Sequence, residues 1–205
     1  MGIVFAEISM SLDGYIAGPN DTPGQGLGEG GERLHEWVYN LEAWRSPHGM
    51  SGGDTSDPAN ELMKESAERS GAIIVGRRMF DLAEEWGDEP PFHKPVFVVT
   101  HHPRETQEKR GGTTFHFVTD GIESALRQAK AAAGEKAVAV GGGAQIIQQF
   151  LARGLLDELQ IHVVPVLLGG GRRLFEPTGA GPVELEIARV LQTPGVVHLT
   201  FRVVR

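Results

Sequence analysis

The stretch from Lys136 to Gly154 limits the possible folds most strongly, because its pattern indicates a strand that passes through three consecutive glycines into a helix. Ala137–Val140 is an apolar run typical of a buried strand, and Gly141–Gly143 follow it directly. Apolar residues then recur at helical spacing, at Ile146, Ile147, Phe150 and Leu151. Glycines at such a junction leave backbone N–H groups open at the positive end of a helix dipole, which suits an anion. The pattern predicts either a nucleotide-phosphate site or a tight turn without a ligand.

Two other predicted strands end in residues that suit the same ligand. Gly76–Arg78 follows the apolar run Ile73–Val75, and Thr100–His102 follows Val96–Val99. Strands and helices alternate through the chain, which predicts an α/β fold with a mainly parallel sheet. Ligands of such sheets bind beyond the carboxyl ends of the strands. We therefore expect the three junctions to lie side by side and to offer amides, cations and hydroxyls to one phosphate-bearing ligand.

The remaining segments complete a mixed sheet. Alternating apolar residues on both sides of Pro194-Gly195 predict an antiparallel C-terminal hairpin. Residues 18–31 hold six glycines and two prolines, which predicts a long loop of the kind that often covers a binding site. An amphipathic helix is predicted from Glu32, with its apolar face formed by Leu34, Trp37, Val38 and Leu41.

Composition excludes several classes of function. The formal charge of −8, without a basic run, argues against a nucleic-acid surface. With no cysteine there is neither a disulfide framework nor a cysteine-ligated metal. No apolar run reaches the roughly 20 residues that span a bilayer, so we expect no membrane partner and a cytoplasmic location. The length favours one domain over residues 1–205.

Five segments in order resemble the dihydrofolate reductase superfamily, in its branch related to the reductase domain of riboflavin biosynthesis. They are Ser9–Ala17, Ala72–Phe80, Val96–Pro103, Val138–Gln145 and Asp157–Gly171. The resemblance implies a three-layer dihydrofolate-reductase-like fold with a mixed, mainly parallel central sheet. It also implies a homodimer to which the β-rich C-terminal part contributes.

The resemblance further implies NADPH bound across the carboxyl edge of the sheet. The matching phosphate positions are Gly76 and Arg77, with Arg78 beside them, and the pyrophosphate positions are Gly141, Gly142, Gly143, Ala144, Gln145 and Ile146. Thr100, His101 and His102 match positions near the adenosine ribose and its 2′-phosphate, and Ile16 and Ala17 match positions near the nicotinamide. A cis peptide is expected between Gly141 and Gly142. The stretch that holds the pterin in true dihydrofolate reductases has no match between Gly18 and Pro58.

Two residues are candidates for the substrate end of the site. Asp13 is predicted either to donate or orient a proton or simply to form a turn with Gly14. Trp37 is predicted either to form a wall for a flat substrate or to lie in the core. His101 and His102 are not expected to bind a metal, because adjacent side chains diverge.

The function that these expectations favour is an NADPH-dependent reductase. It would transfer hydride to a C=N or C=O carbon of a small, heterocyclic substrate that resembles a pterin or a pyrimidine. One alternative is a dimeric nucleotide-binding module of the same fold without turnover. Another is a structural α/β domain whose glycine turns hold no ligand.

Overall fold

The computed structural model describes residues 2–176 and 181–204. The strands in these residues are β1 (Val4–Ser11), β2 (Tyr15–Ala17), β3 (Ser70–Gly76), β4 (Pro95–Val99), β5 (Gln107–Glu108), β6 (Thr114–Val118), β7 (Ala137–Gly142), β8 (Glu158–Val164), β9 (Arg172–Arg173), β10 (Leu185–Thr193) and β11 (Val196–Val203). The α-helices are α1 (Glu42–Arg45), α2 (Pro58–Arg69), α3 (Arg77–Leu82), α4 (Ile122–Ala133) and α5 (Ala144–Ala152). Short 3₁₀ helices cover Gly31–Leu34, Ser46–His48, Glu84–Trp86 and Arg110–Gly112.

Nine strands form one sheet in the order β10-β11-β8-β1-β7-β3-β4-β6-β5. Neighbouring strands from β8 through β6 run parallel, whereas β5, β11 and β10 are antiparallel to their neighbours. The β10–β11 hairpin turns at Pro194 and Gly195, between the paired residues Thr193 and Val196. The predicted α/β class, with a mainly parallel centre and an antiparallel C-terminal hairpin, is confirmed.

Helices and apolar side chains cover both faces of this sheet. On one face, α4 and α5 bury Ile122, Leu126, Ile147 and Phe150 against strand residues such as Ile74. On the other face, Phe80 of α3 packs with residues of β3, β4 and β6: Val75, Val96, Val98 and Phe115. Strand residues that alternate between the two faces therefore produce three layers with the sheet in the middle.

The helix predicted from Glu32 is wrong in type. Residues 31–34 form a 3₁₀ helix, turns follow, and α1 begins only at Glu42. The Trp37 indole N–H donates to the carbonyl of Leu34 at 3.1 Å, while the Val38 N–H bonds to His35 instead. In an α-helix the Leu34 carbonyl would accept from Val38. The Val38 N–H thus makes a bond to the third residue before it, as in a 3₁₀ turn, and the segment keeps its apolar face without becoming α-helical.

Strand β10 forms one edge of the sheet and exposes apolar side chains. Ile187 is 69% exposed and Val190 is 59% exposed. An edge strand with unpaired backbone groups and bare apolar residues can pair with another chain. In the part of the chain that the structure describes, no helix has the length and apolar character needed to cross a membrane.

Candidate functional site

The three strand-to-helix junctions lie side by side at one edge of the sheet. Strand β3 pairs with β7 and with β4, and the register places Val75 opposite Gly142 and Gly76 opposite Val99. Because all three strands are parallel, their carboxyl ends point the same way. We call this surface the glycine rim and define it as Gly76–Arg78, Thr100–His102 and Gly141–Ile146. The structure thus brings together the segments that the sequence predicts to meet.

The middle of the glycine rim is open to a ligand. Helix α5 begins at Ala144 after Gly143, and among the described residues no side chain caps its first turn. No described atom lies within 4 Å of the point that a Cβ on Gly143 would occupy. Uncapped amides at the start of a nine-residue helix attract an anion. An anionic group is therefore a ligand that this helix start can accept.

Two glycines of the rim lie close to neighbouring side chains. A Cβ on Gly76 would come within 2.9 Å of the Ile146 Cγ1 atom, so only glycine fits where β3 meets α5. Gly142 has a φ of 110° and its Cβ position would be 3.4 Å from the side chains of Ile8 and Met79. The cis peptide lies between Gly142 and Gly143, one residue later than expected, so the prediction of a cis bond at Gly141-Gly142 is wrong.

The arginines of the rim are already paired with carboxylates. Arg77 donates to Asp81 at 2.9 Å across one turn of α3. Arg78 and Arg172 both bind Asp21, each with a contact of 2.7 Å. Burial raises the pKa of Asp21, but hydrogen bonds and attraction from the two guanidinium groups outweigh it and lower the pKa to about 2. Asp21 thus fastens the glycine-rich loop of residues 18–31 to α3 and to β9.

At the end of β4 the side chains differ in exposure. Thr100 is buried and its hydroxyl accepts the backbone N–H of His102 at 3.1 Å, whereas both histidine side chains are exposed. Within residues 2–176 and 181–204, no three His, Asp or Glu side chains are arranged to hold a metal ion. Both histidine side chains are on the surface at the carboxyl end of β4.

The short strand β2 carries the two residues predicted to lie near the nicotinamide. Ile16 and Ala17 are buried in β2, which pairs with β9. A Cβ on Gly171 would strike the carbonyl of Ala17, so the two strands approach as closely as their backbones allow. This contact fixes the position of Ile16 and Ala17 relative to β9.

Asp13 holds a loop in place. Its carboxylate accepts the Ser11 hydroxyl at 2.6 Å and the backbone N–H groups of Leu168 and Gly169 at 3.1 and 2.8 Å. The hydrogen bond from Ser11 is the main cause that lowers the pKa of Asp13, and the two amides add to it. The catalytic role predicted for Asp13 stays a prediction. Its contacts favour an ionised anchor over a proton donor.

Trp37 lies half-buried against polar side chains that the sequence analysis missed. Its indole N–H also reaches the Ser9 hydroxyl at 3.2 Å, and its ring centroid is 4.8 Å from those of His162 and His198. Beneath it, Glu7, His162, His198 and Thr193 form a continuous chain of hydrogen bonds, which we call the histidine network. The available signal was the polar residue at every second position of β1: Glu7, Ser9 and Ser11.

Comparisons with known proteins agree with this architecture. The model of the RibD C-terminal domain matches residues 3–199. Two uncharacterized proteins of Bacillus subtilis, YyaP and YwjB, are 31% and 27% identical over 114 and 104 residues. Each alignment covers 50% of this chain, and it covers 58% of YyaP and 57% of YwjB, so the chain spans less than three-fifths of these relatives.

Solved structures with the same fold cover nearly the whole chain. A putative riboflavin biosynthesis protein from Shewanella sp. PV-4 has a TM-score of 0.69 at 23% identity, with 99% of both chains covered. A dihydrofolate reductase from Enterococcus faecalis, complexed with NADP(H), has a TM-score of 0.55 at 13% identity, covering 100% of this chain and 98% of that one. A pyrimidine reductase-like protein from Corynebacterium diphtheriae has a TM-score of 0.54 at 12% identity, covering 100% and 92%. At these identities the matches show the fold, and the predicted dihydrofolate-reductase-like fold is confirmed.

Proposed function

We propose that this chain, which belongs to the RibD C-terminal domain family, is an NADPH-dependent reductase of a small heterocyclic substrate. The family and the fold are those of reductases. The observation that carries the proposal is the glycine rim, where three parallel strand ends and the uncapped start of α5 meet. A related fold holds NADP(H) in the Enterococcus faecalis enzyme. We further propose that residues 1–205 form one domain around the shared sheet.

The residues of the rim fit the cofactor. The backbone of Gly141, Gly142 and Gly143 would lie against the diphosphate, and the amides of Ala144 and Gln145 would donate to it, whereas the Ile146 amide already donates to the Gly143 carbonyl at 3.2 Å. Gly76 leaves room for this approach, and Arg77 and Arg78 would share their charge between their carboxylate partners and the phosphates. Thr100, His101 and His102 would meet the adenosine ribose, and Ile16 and Ala17 would pack near the nicotinamide. When bound, NADPH supplies the hydride.

The residues near Trp37 would receive the substrate. Its indole is fixed by two hydrogen bonds and would form one wall against a flat ring. Asp13 would keep the Leu168–Gly169 backbone in place beside β2. A proton must also reach the reduced C=N or C=O group, and Asp13 is the residue that the sequence predicts to donate or orient it. Asp13→Asn separates the two roles: loss of kcat at unchanged stability indicates proton transfer, whereas loss of stability at unchanged kcat indicates an anchor.

A charge placed at the start of α5 tests cofactor binding without damaging the fold. Gln145 is exposed in the first turn, where Gln145→Glu adds a negative charge that favours the helix but repels a diphosphate. We expect the Kd for NADPH, followed by tryptophan fluorescence, to rise about fivefold, which corresponds to about 1 kcal/mol. The matched control is Gln149→Glu, exposed one turn later on the same helix, which should leave the Kd unchanged. Equal affinities of both variants and the wild type, or no NADPH binding at all, would overturn the assignment of the rim.

A second candidate function is nucleotide binding without turnover. It is favoured by Asp13, which accepts hydrogen bonds in each of its contacts described above. NADPH oxidation should be measured across a panel of pterins, ribosylaminopyrimidines and small carbonyl compounds. Oxidation with any of them supports the reductase, while tight NADPH binding without oxidation across the panel supports the binding module.

We also propose a homodimer formed through β10. Its exposed apolar residues Leu185, Ile187 and Val190 lie along the edge of the sheet. Ile187→Lys places a charge in the middle of this strand and should convert the dimer to a monomer in light scattering. A wild-type protein that is monomeric at micromolar concentration would remove this part of the proposal.

A further inference from the structure

The histidine network crosses four neighbouring strands beneath Trp37. Glu7 of β1 contacts His162 Nε2 of β8 at 3.0 Å, and His162 Nδ1 contacts His198 Nδ1 of β11 at 2.8 Å. His198 Nε2 contacts the Thr193 hydroxyl at 3.0 Å. His162 and His198 are 3% and 2% exposed. Buried groups connected in this way are sensitive to the position of each proton.

The network lies level with the predicted substrate wall. The strand register places Ser9 opposite His162 and His162 opposite His198. Trp37 donates to Ser9, and its ring contacts the imidazoles of His162 and His198 at interplanar angles of 55° and 71°. The Trp37 ring is therefore in direct contact with the two groups whose protons are in question.

A third arrangement, with an imidazolium at His198, is disfavoured because burial and the neighbouring His162 and Arg189 lower the pKa of His198 to about 4. With His198 neutral, counting donors leaves two arrangements of protons. An ionised Glu7 can only accept, so His162 Nε2 carries a proton in both. The contact between the two Nδ1 atoms needs one proton. If His198 supplies it, His162 is neutral and His198 Nε2 accepts from the Thr193 hydroxyl. If His162 supplies it, His162 is an imidazolium and His198 Nε2–H donates to Thr193. The arrangements differ by one proton, and every hydrogen bond of the chain survives the change.

Burial and the surrounding charges determine the protonation states of Glu7 and His198. Burial raises the pKa of Glu7, but hydrogen bonds and charges from His162, Ser66 and Arg69 outweigh it and lower the pKa. Burial, the neighbouring His162 and Arg189 lower the pKa of His198 to about 4, against attraction from Glu7. Glu7 is thus ionised and His198 neutral near pH 7.

One more histidine faces the network from the segment after the first 3₁₀ helix. Burial lowers the pKa of His35, Glu32 opposes this, and His162 adds to it. The charged and titratable groups around the two central imidazoles are therefore His35 from this segment, Arg69 from α2, Glu7 from β1 and Arg189 from β10.

We propose that the histidine network is a one-proton positioning device for Trp37. Proton uptake charges His162 and moves the His198 proton from Nδ1 to Nε2, and the imidazolium then attracts the overlying indole through its π face. Trp37 is held more firmly in this state, so the wall of the substrate end depends on pH. This role rests on the proposed function, in which Trp37 contacts the substrate, but the proton switch itself does not.

Nitrogen-15 NMR of histidine-labelled protein between pH 5.5 and 8.5 tests the switch directly. We expect His198 to stay neutral while its N–H moves from Nδ1 at high pH to Nε2 at low pH, with the same midpoint as the charging of His162. A His198 that keeps one tautomer across this range overturns the proposal. The measurement uses the unaltered chain, so it does not depend on whether a variant folds.

Fluorescence connects the switch to Trp37. In the double variant Trp44→Phe, Trp86→Phe, the emission of Trp37 should follow the NMR midpoint, because an imidazolium against the ring quenches it. His162→Gln should abolish this dependence, while His116→Gln on β6 should retain it. Emission that is independent of pH, or that titrates unchanged in His162→Gln, contradicts the proposal.

Kinetics and binding keep the two proposals apart. With a substrate in hand, KM should rise with pH as the proton is lost, with little change in kcat, and His162→Gln should remove this rise. An unchanged KM profile in His162→Gln overturns the positioning role. Failure of NADPH to bind while His198 still switches tautomer would instead reject the reductase and leave the proton switch standing.

Discussion

The glycine rim and the histidine network lie on the same sheet but are built in opposite ways. The rim consists of backbone amides, positions where side chains are missing, and one close contact between Gly76 and Ile146. The network consists of side chains from four strands, and its longest link joins Glu7 to His162, 155 residues apart in the chain. The rim is therefore sensitive to added atoms and the network to added or removed protons. The two regions should therefore respond to different perturbations.

The largest expected effect adds one methyl group to the rim. Gly76→Ala places a Cβ 2.9 Å from Ile146, and relieving this overlap should cost up to about 3 kcal/mol in the free energy of unfolding. The matched control is Gly170→Ala, since no described atom lies within 4 Å of its Cβ position, and it should change stability by less than about 0.5 kcal/mol. Urea unfolding measures both. Equal stability of the two variants would mean that the rim is loosely packed.

The second largest expected effect is the loss of stability in acid, which depends on His198 of the network but not on His101 of the rim. The folded pKa of His198, about 4, lies below the usual value of 6.5, so the unfolded chain binds the proton first as pH falls. Stability from this group is complete above pH 6.5 and is lost as pH falls from 6.5 toward 4. Between pH 7 and pH 4.5, His198→Gln should lose about 2 kcal/mol less than the wild type.

The control for this prediction is His101→Gln, which removes an exposed histidine from the rim. It should lose as much stability on acidification as the wild type does. Glu7 acts in the same direction as His198, but mainly below its usual value of 4.5, so the difference between the two variants isolates His198. If both variants respond alike to acid, the contrast between the two regions fails.

A smaller effect distinguishes the ion pairs that border the rim. Asp21→Asn leaves Arg78 and Arg172 against a neutral amide in a site where the carboxylate is 8% exposed, and should cost about 1 kcal/mol. Asp81→Asn breaks the exposed pair with Arg77 and should cost a few tenths of a kcal/mol. Hydrogen exchange should show faster opening of residues 18–31 in Asp21→Asn alone. Equal protection of that loop in both variants would show that Asp21 does not fasten it.

The sequence predicts the rim well because its requirements are local. Gly141–Gly143 must be small where β7 turns into α5, and a run of three glycines is visible without knowledge of the fold. The cis bond was placed one residue early because all three residues are glycines and their pattern does not distinguish one peptide bond from the next. The pairing of Arg78 with Asp21 was missed because it joins residues 57 positions apart.

The substrate end was harder to predict because its contacts are not local. Apolar spacing at Leu34, Trp37, Val38 and Leu41 favours an α-helix, but the segment forms turns in which Trp37 also bonds to Ser9, 28 residues away. His162 and His198 stand alone in two separate strands, and only the register of β8 against β11 shows that they meet. The contact that a polar residue in a strand makes depends on the register of the neighbouring strand.

The contact between His162 and His198 also has a consequence for how the chain assembles. A slip of β11 by one residue would set Val197 or Leu199 opposite His162, leaving a buried imidazole nitrogen without a partner. The contact between the two histidines thus fixes the register of β11, the last strand, on a sheet whose first strand lies almost two hundred residues earlier in the chain. A misaligned hairpin is therefore disfavoured by the free-energy cost of that unpaired nitrogen.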